Sequence, residues 1–469
     1  MTVLGPTCPK MTSTSSSSDL PAPEEDRTAK RPDSGIGESV IRLMTRLSMQ
    51  HGAVNLSQGF PNEPPPLSIR LALARAVLAG VPEDLTDTSA TCASIENMLK
   101  KIQDNDEDEG TTYSTSVDEL NQYSPPMGRS DLRAAIAAHY KRLYDYDVDP
   151  DQGITVTLGA TEAVASALRT VGRPGDKAVI FEPYHELYPS QTKIFYMEPE
   201  YVTLREDPQA GTWAFCVDEL AVALEGAKVL LLNTPHNPTG KVFTHDELRI
   251  IVDLCIKHDV YIITDEIYDG MTYEINGTQH KHILLPREFP HVVDRTLVCN
   301  SVGKSASATG WRLGWCLMPP HLTETYRGVH DQLVVMAPHP IQYAGLTYFD
   351  LPKEYFTRTL STRYIDRLNT LASSLRKVGF EVLDPEGAYY LFVKYRSVQQ
   401  LSEMGPWDAS MYMVKEVGVA CVPGTNFYGS DHAMQNEAQE YLRFAACRSV
   451  KDIEAACEKL EATLSKGKT

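Results

Sequence analysis

The sequence predicts an α/β protein with a large domain, whose mainly parallel sheet is flanked by helices, and a small α+β domain after it. Two patterns support this prediction. From residue 131 to about 320, short β-branched or apolar runs alternate with helical stretches, which is typical of a parallel sheet covered on both faces. After residue 320 come a long helical stretch, two separate strand-like runs and a final amphipathic helix. The length of 469 residues accommodates two or three domains.

The elements are predicted in chain order. An amphipathic helix begins at Ser39, because Val40, Ile41, Met44 and Leu47 share one helical face. Strands of the large domain are predicted at residues 154–157, 178–181, 229–232, 260–264, 296–299 and 313–317, with helices at 161–171 and 246–258. In the small domain we expect a helix over 353–378, strands at 388–393 and 441–445, and a last helix capped by Ser449 and Asp452.

These elements predict five parts of the chain. Residues 1–34 are rich in Ser, Thr, Pro and charge and are predicted to be a disordered tail. Residues 35–66 form an N-terminal helix and loop that join the small domain. Residues 81–120 contain eleven acids and two bases, so we interpret them as a solvated acidic insertion, with a lid or a partner contact as the less favoured alternative. The large domain is predicted over 121–335 and the small domain over 336–469.

Composition excludes several classes of function. The chain has 44 Lys plus Arg against 62 Asp plus Glu, a net charge of −18, which argues against nucleic acid or an anionic membrane as a partner. No apolar stretch approaches the roughly 20 residues of a membrane span. The nine cysteines show no CxxC pair or Cys/His ligand spacing, so neither a disulfide framework nor a metal site is indicated. We expect a cytoplasmic protein.

Polar residues follow several of the predicted strands. Quoted in order, these segments are Leu158-Gly-Ala-Thr-Glu162, Asn233-Thr-Pro-His-Asn-Pro-Thr-Gly240, Thr264-Asp-Glu-Ile-Tyr268, Asn300-Ser-Val-Gly-Lys-Ser305 and Ala308-Thr-Gly-Trp-Arg-Leu-Gly314. Each alone has an ordinary interpretation as a turn, a helix cap or a surface side chain. Ligands of such sheets bind beyond the carboxyl ends of the strands, so their occurrence together predicts a single site there.

These segments resemble a known family. The order Asn-Gln-Tyr123, Asn-Pro-Thr-Gly240, Asp265-Glu-Ile-Tyr268, Ser301-x-x-Lys304 and Gly310-x-Arg312-x-Gly314 is similar to that of fold type I pyridoxal-phosphate enzymes. Within this group the sequence most resembles the kynurenine aminotransferases, which are also known as glutamine transaminase K and cysteine-conjugate β-lyase. The resemblance runs from about Ile36 to the C-terminus, outside the tail and the acidic insertion. It implies pyridoxal 5′-phosphate as the cofactor.

The resemblance assigns roles around the cofactor ring. Lys304 matches the family's Schiff-base lysine, which also moves a proton at the substrate α-carbon. Asp265 would keep the ring nitrogen protonated, and Tyr268 and Asn237 would hydrogen-bond the phenolic oxygen. Lys304, Asp265 and Tyr268 are the predicted catalytic residues, and Asn237 is a predicted contact of both the cofactor and the substrate.

The phosphate and the substrate have their own predicted contacts. By resemblance, the amides of Gly159, Ala160 and Thr161 hold the phosphate together with Ser301 and Arg312. Arg443 binds the substrate carboxylate through two parallel hydrogen bonds, and Gly59 lines the same end of the pocket. Tyr123 reaches the phosphate of the neighbouring subunit, which implies a homodimer with shared sites.

One loop departs from the family pattern. The family places an aromatic ring over the cofactor, and in Glu182-Pro-Tyr-His-Glu-Leu-Tyr188 this position is His185, with Tyr184 one residue earlier as the alternative. Three functions therefore remain open. The first is an aminotransferase that acts on an amino acid and a 2-oxo acid. The second is a C–S β-lyase that converts cysteine S-conjugates to thiol, pyruvate and ammonia, as in sulfur-containing secondary metabolism. The third is an inactive binding homologue.

Overall fold

The computed structural model describes residues 38–77, 120, 122–207, 209–429 and 438–465. The predicted tail and residues 81–119 of the predicted acidic insertion lie outside these ranges. In chain order the strands are β1 (Val54–Asn55), β2 (Ile154–Thr157), β3 (Lys177–Glu182), β4 (Glu198–Asp207), β5 (Thr212–Phe215), β6 (Ala227–Asn233), β7 (Tyr261–Asp265), β8 (Glu274–Ile275), β9 (Thr278–Gln279), β10 (Thr296–Ser301), β11 (Gly314–Leu317), β12 (Tyr390–Lys394), β13 (Val419–Ala420), β14 (Val422–Pro423) and β15 (Tyr441–Ala445).

Helices connect and cover these strands. The α-helices are α1 (Val40–Gln50), α2 (Leu67–Val77), α3 (Ser130–Tyr144), α4 (Gly159–Val171), α5 (Leu187–Ile194), α6 (Val217–Leu224), α7 (His245–Lys257), α8 (Leu285–Glu288), α9 (Val302–Ser305), α10 (Pro320–Val334), α11 (His339–Phe349), α12 (Leu360–Val378), α13 (Pro406–Tyr412) and α14 (Val450–Leu464). Helix α1 begins where the sequence predicts, because the Ser39 hydroxyl accepts a hydrogen bond from the Arg42 amide at 3.3 Å.

An eight-stranded sheet forms the centre of the fold, in the order β2–β11–β10–β7–β6–β3–β4–β5. Strands β10, β7, β6, β3 and β4 are parallel neighbours, whereas β11 and β5 are antiparallel to the strands beside them. Strands β6, β7 and β10 are almost wholly buried, as expected for strands with helices on both faces. The predicted fold class, with its mainly parallel sheet, is confirmed.

A smaller sheet follows, with the antiparallel order β12–β15–β14. Leu442 and Phe444 of β15 belong to one buried cluster with Leu368 of α12 and Ala456 of α14. The N-terminal segment joins this region, because β1 pairs in parallel with β13. The predicted domain boundary between residues 335 and 336 stays a prediction.

Five parallel strands and one antiparallel strand end at the same edge of the large sheet. Strands β2, β3, β6, β7 and β10 bring their carboxyl ends to this edge, and the antiparallel β11 brings its amino end. The register shows this directly, because Gly314 pairs with both Ser301 and Thr157. A Cβ on Gly314 would lie 2.6 Å from the carbonyl carbon of Gly159, so only glycine allows β11 to approach α4 this closely.

Other features bear on the excluded functions. Among the described residues, no helix is long and apolar enough to cross a bilayer. Within the same ranges no three metal-binding side chains cluster. The described cysteines are free thiols: Cys216, Cys255, Cys299, Cys316, Cys421, Cys447 and Cys457.

Candidate active site

A cavity of about 250 Å³ lies at the edge where these strands end. It brings together eleven of the thirteen residues that the sequence predicts for the site, namely Gly59, Ala160, Thr161, His185, Asn237, Asp265, Tyr268, Ser301, Lys304, Arg312 and Arg443. A larger cavity of about 630 Å³ lies beside Tyr144 and Asp269 and contains none of the predicted residues. We therefore take the smaller cavity as the candidate active site.

Lys304 lies on the short helix α9, directly after β10. Its Nζ atom donates a hydrogen bond to the carbonyl oxygen of Gly59 at 2.5 Å. Burial lowers the pKa of the Lys304 amine to about 8, and the positive charges of Arg443 and Arg312 act in the same direction. About half of the amine is therefore neutral near pH 8, and this form can act as a base or nucleophile.

Asp265 is the last residue of β7, and it is 5% exposed. Its Oδ2 atom accepts a hydrogen bond from the Tyr188 hydroxyl at 2.7 Å, whereas its buried Oδ1 atom has no partner among the described residues. Burial raises the pKa of the Asp265 carboxyl to about 6. A cationic donor at Oδ1 would satisfy this oxygen and favour the ionised carboxylate.

The N-terminus of α4 and Arg312 form a positive corner of the cavity. Gly159 opens α4 with a φ of +75°, and a Cβ there would lie 2.8 Å from Nη2 of Arg312. The guanidinium is fixed by hydrogen bonds to the carbonyl oxygens of Thr309 at 3.0 Å and Leu158 at 3.4 Å. Free helix amides beside a fixed cation form a binding site for an anion such as a phosphate.

Arg443 on β15 is fully buried. Its Nη1 atom donates to Oδ1 of Asn237 at 3.0 Å, and its Nη2 atom donates to the carbonyl oxygen of Ser57 at 2.6 Å. The guanidinium carbon lies 4.6 Å from the ring centroid of Tyr390. No carboxylate pairs with it among the described residues, and Nε has no partner there. This buried cation can therefore bind a carboxylate of a ligand.

Tyr268 and Tyr390 adjoin this cation. Their hydroxyls lie 2.9 Å apart, and burial raises the pKa of Tyr268 well above its usual range, so its hydroxyl stays protonated and can donate. A Cβ on Gly59 would lie only 1.9 Å from the Tyr390 hydroxyl, so this glycine lets the N-terminal loop approach the pair.

His185, and not Tyr184, lies on the cavity. The Tyr184 hydroxyl instead donates to the carbonyl oxygen of Tyr428 at 2.6 Å. Burial lowers the pKa of the His185 imidazole to about 3, and the charges of Lys304 and Arg443 lower it further. The ring is therefore neutral, and its buried Nδ1 atom has no partner among the described residues.

Two predicted residues lie elsewhere. Gly159 is adjacent to the cavity at the start of α4. Tyr123 is 79% exposed and does not line the cavity of its own chain, so its contact with a neighbouring subunit stays a prediction.

Sequence reasoning missed several residues that line the cavity. The principal ones are Tyr188, Tyr390, Gln58 and Glu186. Tyr188 could have been expected at the site from the sequence, because it lies three residues after His185. In the structure its hydroxyl donates to the carboxylate of Asp265. Gln58 and Glu186 directly adjoin the predicted residues Gly59 and His185 in the sequence, whereas Tyr390 reaches the site from a distant segment.

Comparison with known proteins agrees with this geometry. The family model described as aminotransferase class I and II matches residues 84–460. Human kynurenine–oxoglutarate transaminase 1 is 30% identical over 455 residues, which cover 92% of this chain and 97% of that protein. The kynurenine–oxoglutarate transaminase of Dictyostelium discoideum is 28% identical, covering 91% and 94%.

Solved structures are similar as well. N-succinyldiaminopimelate aminotransferase from Mycobacterium tuberculosis has a TM-score of 0.77 at 27% identity and covers 91% of this chain and 97% of its own. Bna3p from Saccharomyces cerevisiae, a putative kynurenine aminotransferase, has a TM-score of 0.76 at 26% identity, covering 92% and 97%.

Proposed function

This chain belongs to the class I and II aminotransferase family, and we propose that it transfers the amino group of an α-amino acid to a 2-oxo acid at the cavity around Lys304. The predicted fold type I, the cofactor pyridoxal 5′-phosphate and the enzymatic function as an aminotransferase are confirmed at the level of the family. The observation that carries the proposal for this site is the convergence of Lys304, Asp265 and Arg443 in one cavity.

The residues of the cavity fit this cofactor. The unpartnered Oδ1 atom of Asp265 matches a protonated ring nitrogen, and the corner formed by α4 and Arg312 matches a phosphate. Tyr268 supplies a protonated hydroxyl for the phenolic oxygen, and Asn237 lies beside it in the same cavity. When bound, pyridoxal phosphate supplies an electron sink for the electron pair released at the substrate α-carbon.

Arg443 would bind and orient the substrate. Its guanidinium can form two parallel hydrogen bonds with an α-carboxylate. Asn237 and the Ser57 carbonyl fix the guanidinium from two sides, so the carboxylate is held in one orientation. Fixing this end of the substrate places its α-hydrogen for removal by a base.

Lys304 is the base available for that hydrogen. A neutral amine can take the proton from Cα and return it elsewhere on the reacting system, which is the proton movement that transamination requires. The lowered pKa of Lys304 favours the neutral form, and the Gly59 carbonyl holds Nζ in place. An inactive homologue is disfavoured because every one of these positions carries a residue able to act.

A second candidate reaction is β-elimination from a cysteine S-conjugate. The observation that favours it is His185, a neutral imidazole at the position of the family's stacking aromatic ring, whose Nδ1 atom has no partner among the described residues. An N–H group there can donate a hydrogen bond to a departing thiolate and stabilise its charge. With one water, the conjugate would yield a thiol, pyruvate and ammonia.

One experiment separates the two reactions. Purified enzyme is incubated with an S-substituted cysteine, with and without a 2-oxo acid. Release of pyruvate and thiol without the acceptor indicates β-elimination, whereas strict dependence on the acceptor indicates transamination. Kynurenine with 2-oxoglutarate, the pair in the relatives' names, is the first amino donor and acceptor to assay.

We further propose a homodimer with shared sites. The exposed Tyr123 supports it, because its counterpart in the resembling family reaches the neighbouring phosphate. Co-expressed Lys304→Ala and Tyr123→Phe subunits test it. One site of the mixed dimer would then carry both changes and the other neither, so activity should exceed that of either homodimer. A cytoplasmic location, and the absence of nucleic-acid and membrane partners, stay predictions from composition.

A further inference from the structure

The cavity has an outer rim formed by Ser39, Arg42, Gln58, Glu186 and Leu187. These residues line the same cavity as Lys304 but are half-buried or exposed, whereas Asn237, Asp265 and Arg443 are buried. In the proposed function Arg443 binds the substrate carboxylate and Lys304 acts at Cα. The substrate side chain would then contact the rim. The inference below rests on that proposed function.

Glu186 is the anionic residue of the rim, and it is held by two neutral donors. The Ser39 hydroxyl donates to its Oε1 atom at 2.5 Å, and the Asn426 amide donates to its Oε2 atom at 3.3 Å. These donors come from the start of α1 and from the segment after β14. A side chain fixed from two directions is pre-organised for binding, because it loses little further freedom when a ligand arrives.

No described residue neutralises the charge of Glu186. Among the described residues it makes no ion pair, and the neighbouring His185 imidazole is neutral. An ionised carboxylate has about four lone-pair sites, of which the two donors use two. The remaining acceptor capacity belongs to a half-buried carboxylate that lines the cavity.

Arg42 is the competing charge of the rim. Its side chain is exposed, and no hydrogen bond or ion pair fixes its guanidinium among the described residues. A solvent-exposed cation is screened by water and salt, so it discriminates weakly between ligands. Glu186 is less exposed and fixed, so its preference should dominate.

We propose that Glu186 selects substrates whose side chain ends in an N–H donor, either an ammonium or an amide group, by accepting a hydrogen bond from it. Both groups present the same N–H to the carboxylate, and they differ in charge. The substrate class is thus an amino acid with an extended, nitrogen-bearing side chain rather than an apolar or acidic one.

Four S-substituted cysteines test this inference on the holoenzyme. S-(2-aminoethyl)cysteine carries an ammonium, S-(carbamoylmethyl)cysteine an amide, S-propylcysteine neither, and S-(carboxymethyl)cysteine a carboxylate. Binding is measured by titrating the visible absorption of the bound cofactor, and turnover by the 2-oxo acid or thiol released. We expect the two N–H donors to bind about tenfold more tightly than the propyl compound, and the carboxymethyl compound to bind most weakly.

Substitutions of Glu186 and Ser39 separate the preference for the ammonium compound from the preference for the amide compound. Glu186→Gln keeps an oxygen acceptor but removes the charge, so it should abolish the preference for the ammonium and retain that for the amide. Ser39→Ala removes one anchor and leaves the charge, so the ammonium preference should persist. Glu198→Gln, an exposed carboxylate outside the cavity, should change nothing.

Several results would overturn the inference. These are equal binding of the propyl and aminoethyl compounds, an unchanged ammonium preference in Glu186→Gln, or an equal loss in Ser39→Ala, which would assign the effect to the position of α1. Turnover of all four compounds without preference would leave the proposed function intact. Absence of turnover with every amino acid would refute the proposed function, while the titration would still decide the role of Glu186.

Discussion

The inner half of the cavity and its outer rim are built in different ways. The inner half consists of Asp265, Tyr268, Ser301, Lys304 and Arg312, which lie at or close to the ends of neighbouring strands of one sheet. The rim instead combines α1, the loop after β1 and the loop before α5. The difference indicates that the sheet positions the residues that would hold the cofactor, whereas contacts between loops determine which substrate side chain the site accepts.

The largest expected effect is in the inner half. Lys304→Ala should lower kcat by on the order of 10³-fold or more for every amino donor, because the base and the cofactor anchor are lost together. The visible absorption of the bound cofactor should disappear as well. Lys193→Ala, an exposed lysine, is the control. A variant that kept the absorption band would show that Lys304 is not the anchor of the cofactor.

The pKa of Lys304 predicts how the apoenzyme takes up pyridoxal phosphate. Only the neutral amine reacts with an aldehyde, and with a pKa of about 8 its neutral fraction rises about 50-fold between pH 6 and pH 8. The uptake rate, followed by stopped-flow absorbance, should rise by this factor and level off above about pH 9. A rate that continued to rise to pH 10 would indicate an ordinary lysine and contradict the burial argument.

Arg443→Ala should raise KM at least about 30-fold, since loss of one partner of a buried charge pair costs on the order of 2–5 kcal/mol. The increase should be similar for all amino acids, because Arg443 contacts the part that they share. Arg443→Lys keeps the charge without the paired donors, so its KM should lie between those of the unchanged enzyme and Arg443→Ala. If the increase in KM depended on the side chain of the substrate, Arg443 would contact that side chain and not the carboxylate that all the substrates share.

The smallest effect concerns Tyr188. Tyr188→Phe removes the hydrogen bond to Oδ2 of Asp265, so the pKa of this carboxyl should rise further. We expect kcat to fall about tenfold with little change in KM, as for loss of one hydrogen bond to a charged group. Tyr184→Phe is the matched control, because its hydroxyl lies in the same loop but outside the cavity. Equal effects of the two changes would show that the hydrogen bond from Tyr188 to Asp265 does not contribute to the reaction.

The sequence predicted the central strands of the large sheet but missed β4 and β5 at one end of it. Strands β6, β7 and β10 are continuous apolar runs because both faces are buried. Strand β4, next to the edge strand β5, was missed because its residues Glu198, Glu200 and Arg205 are exposed, so its pattern resembles a loop. The antiparallel direction of β11 could not be predicted, since a short apolar run has the same appearance in either direction.

The residues of the candidate site also differ in how well the sequence predicts them. Lys304 and Asp265 were predictable because motifs near strand ends carry them. The acceptor of Lys304 is a carbonyl oxygen 245 residues away, on Gly59, and that of Arg443 lies 386 residues away, on Ser57. Main-chain carbonyls leave no signature in the sequence, and Glu186 is recognisable as a rim residue only once α1 packs beside it.

The pairing of β1 with β13 has a consequence for biosynthesis. The ribosome makes Val54 and Ser57 early, but their partners Val419 and Arg443 leave the exit tunnel hundreds of residues later. Contacts so distant along the chain close late in folding. A nascent polypeptide therefore assembles its carboxylate-binding pocket only after residue 443 has emerged, and fragments from premature termination before that point lack it.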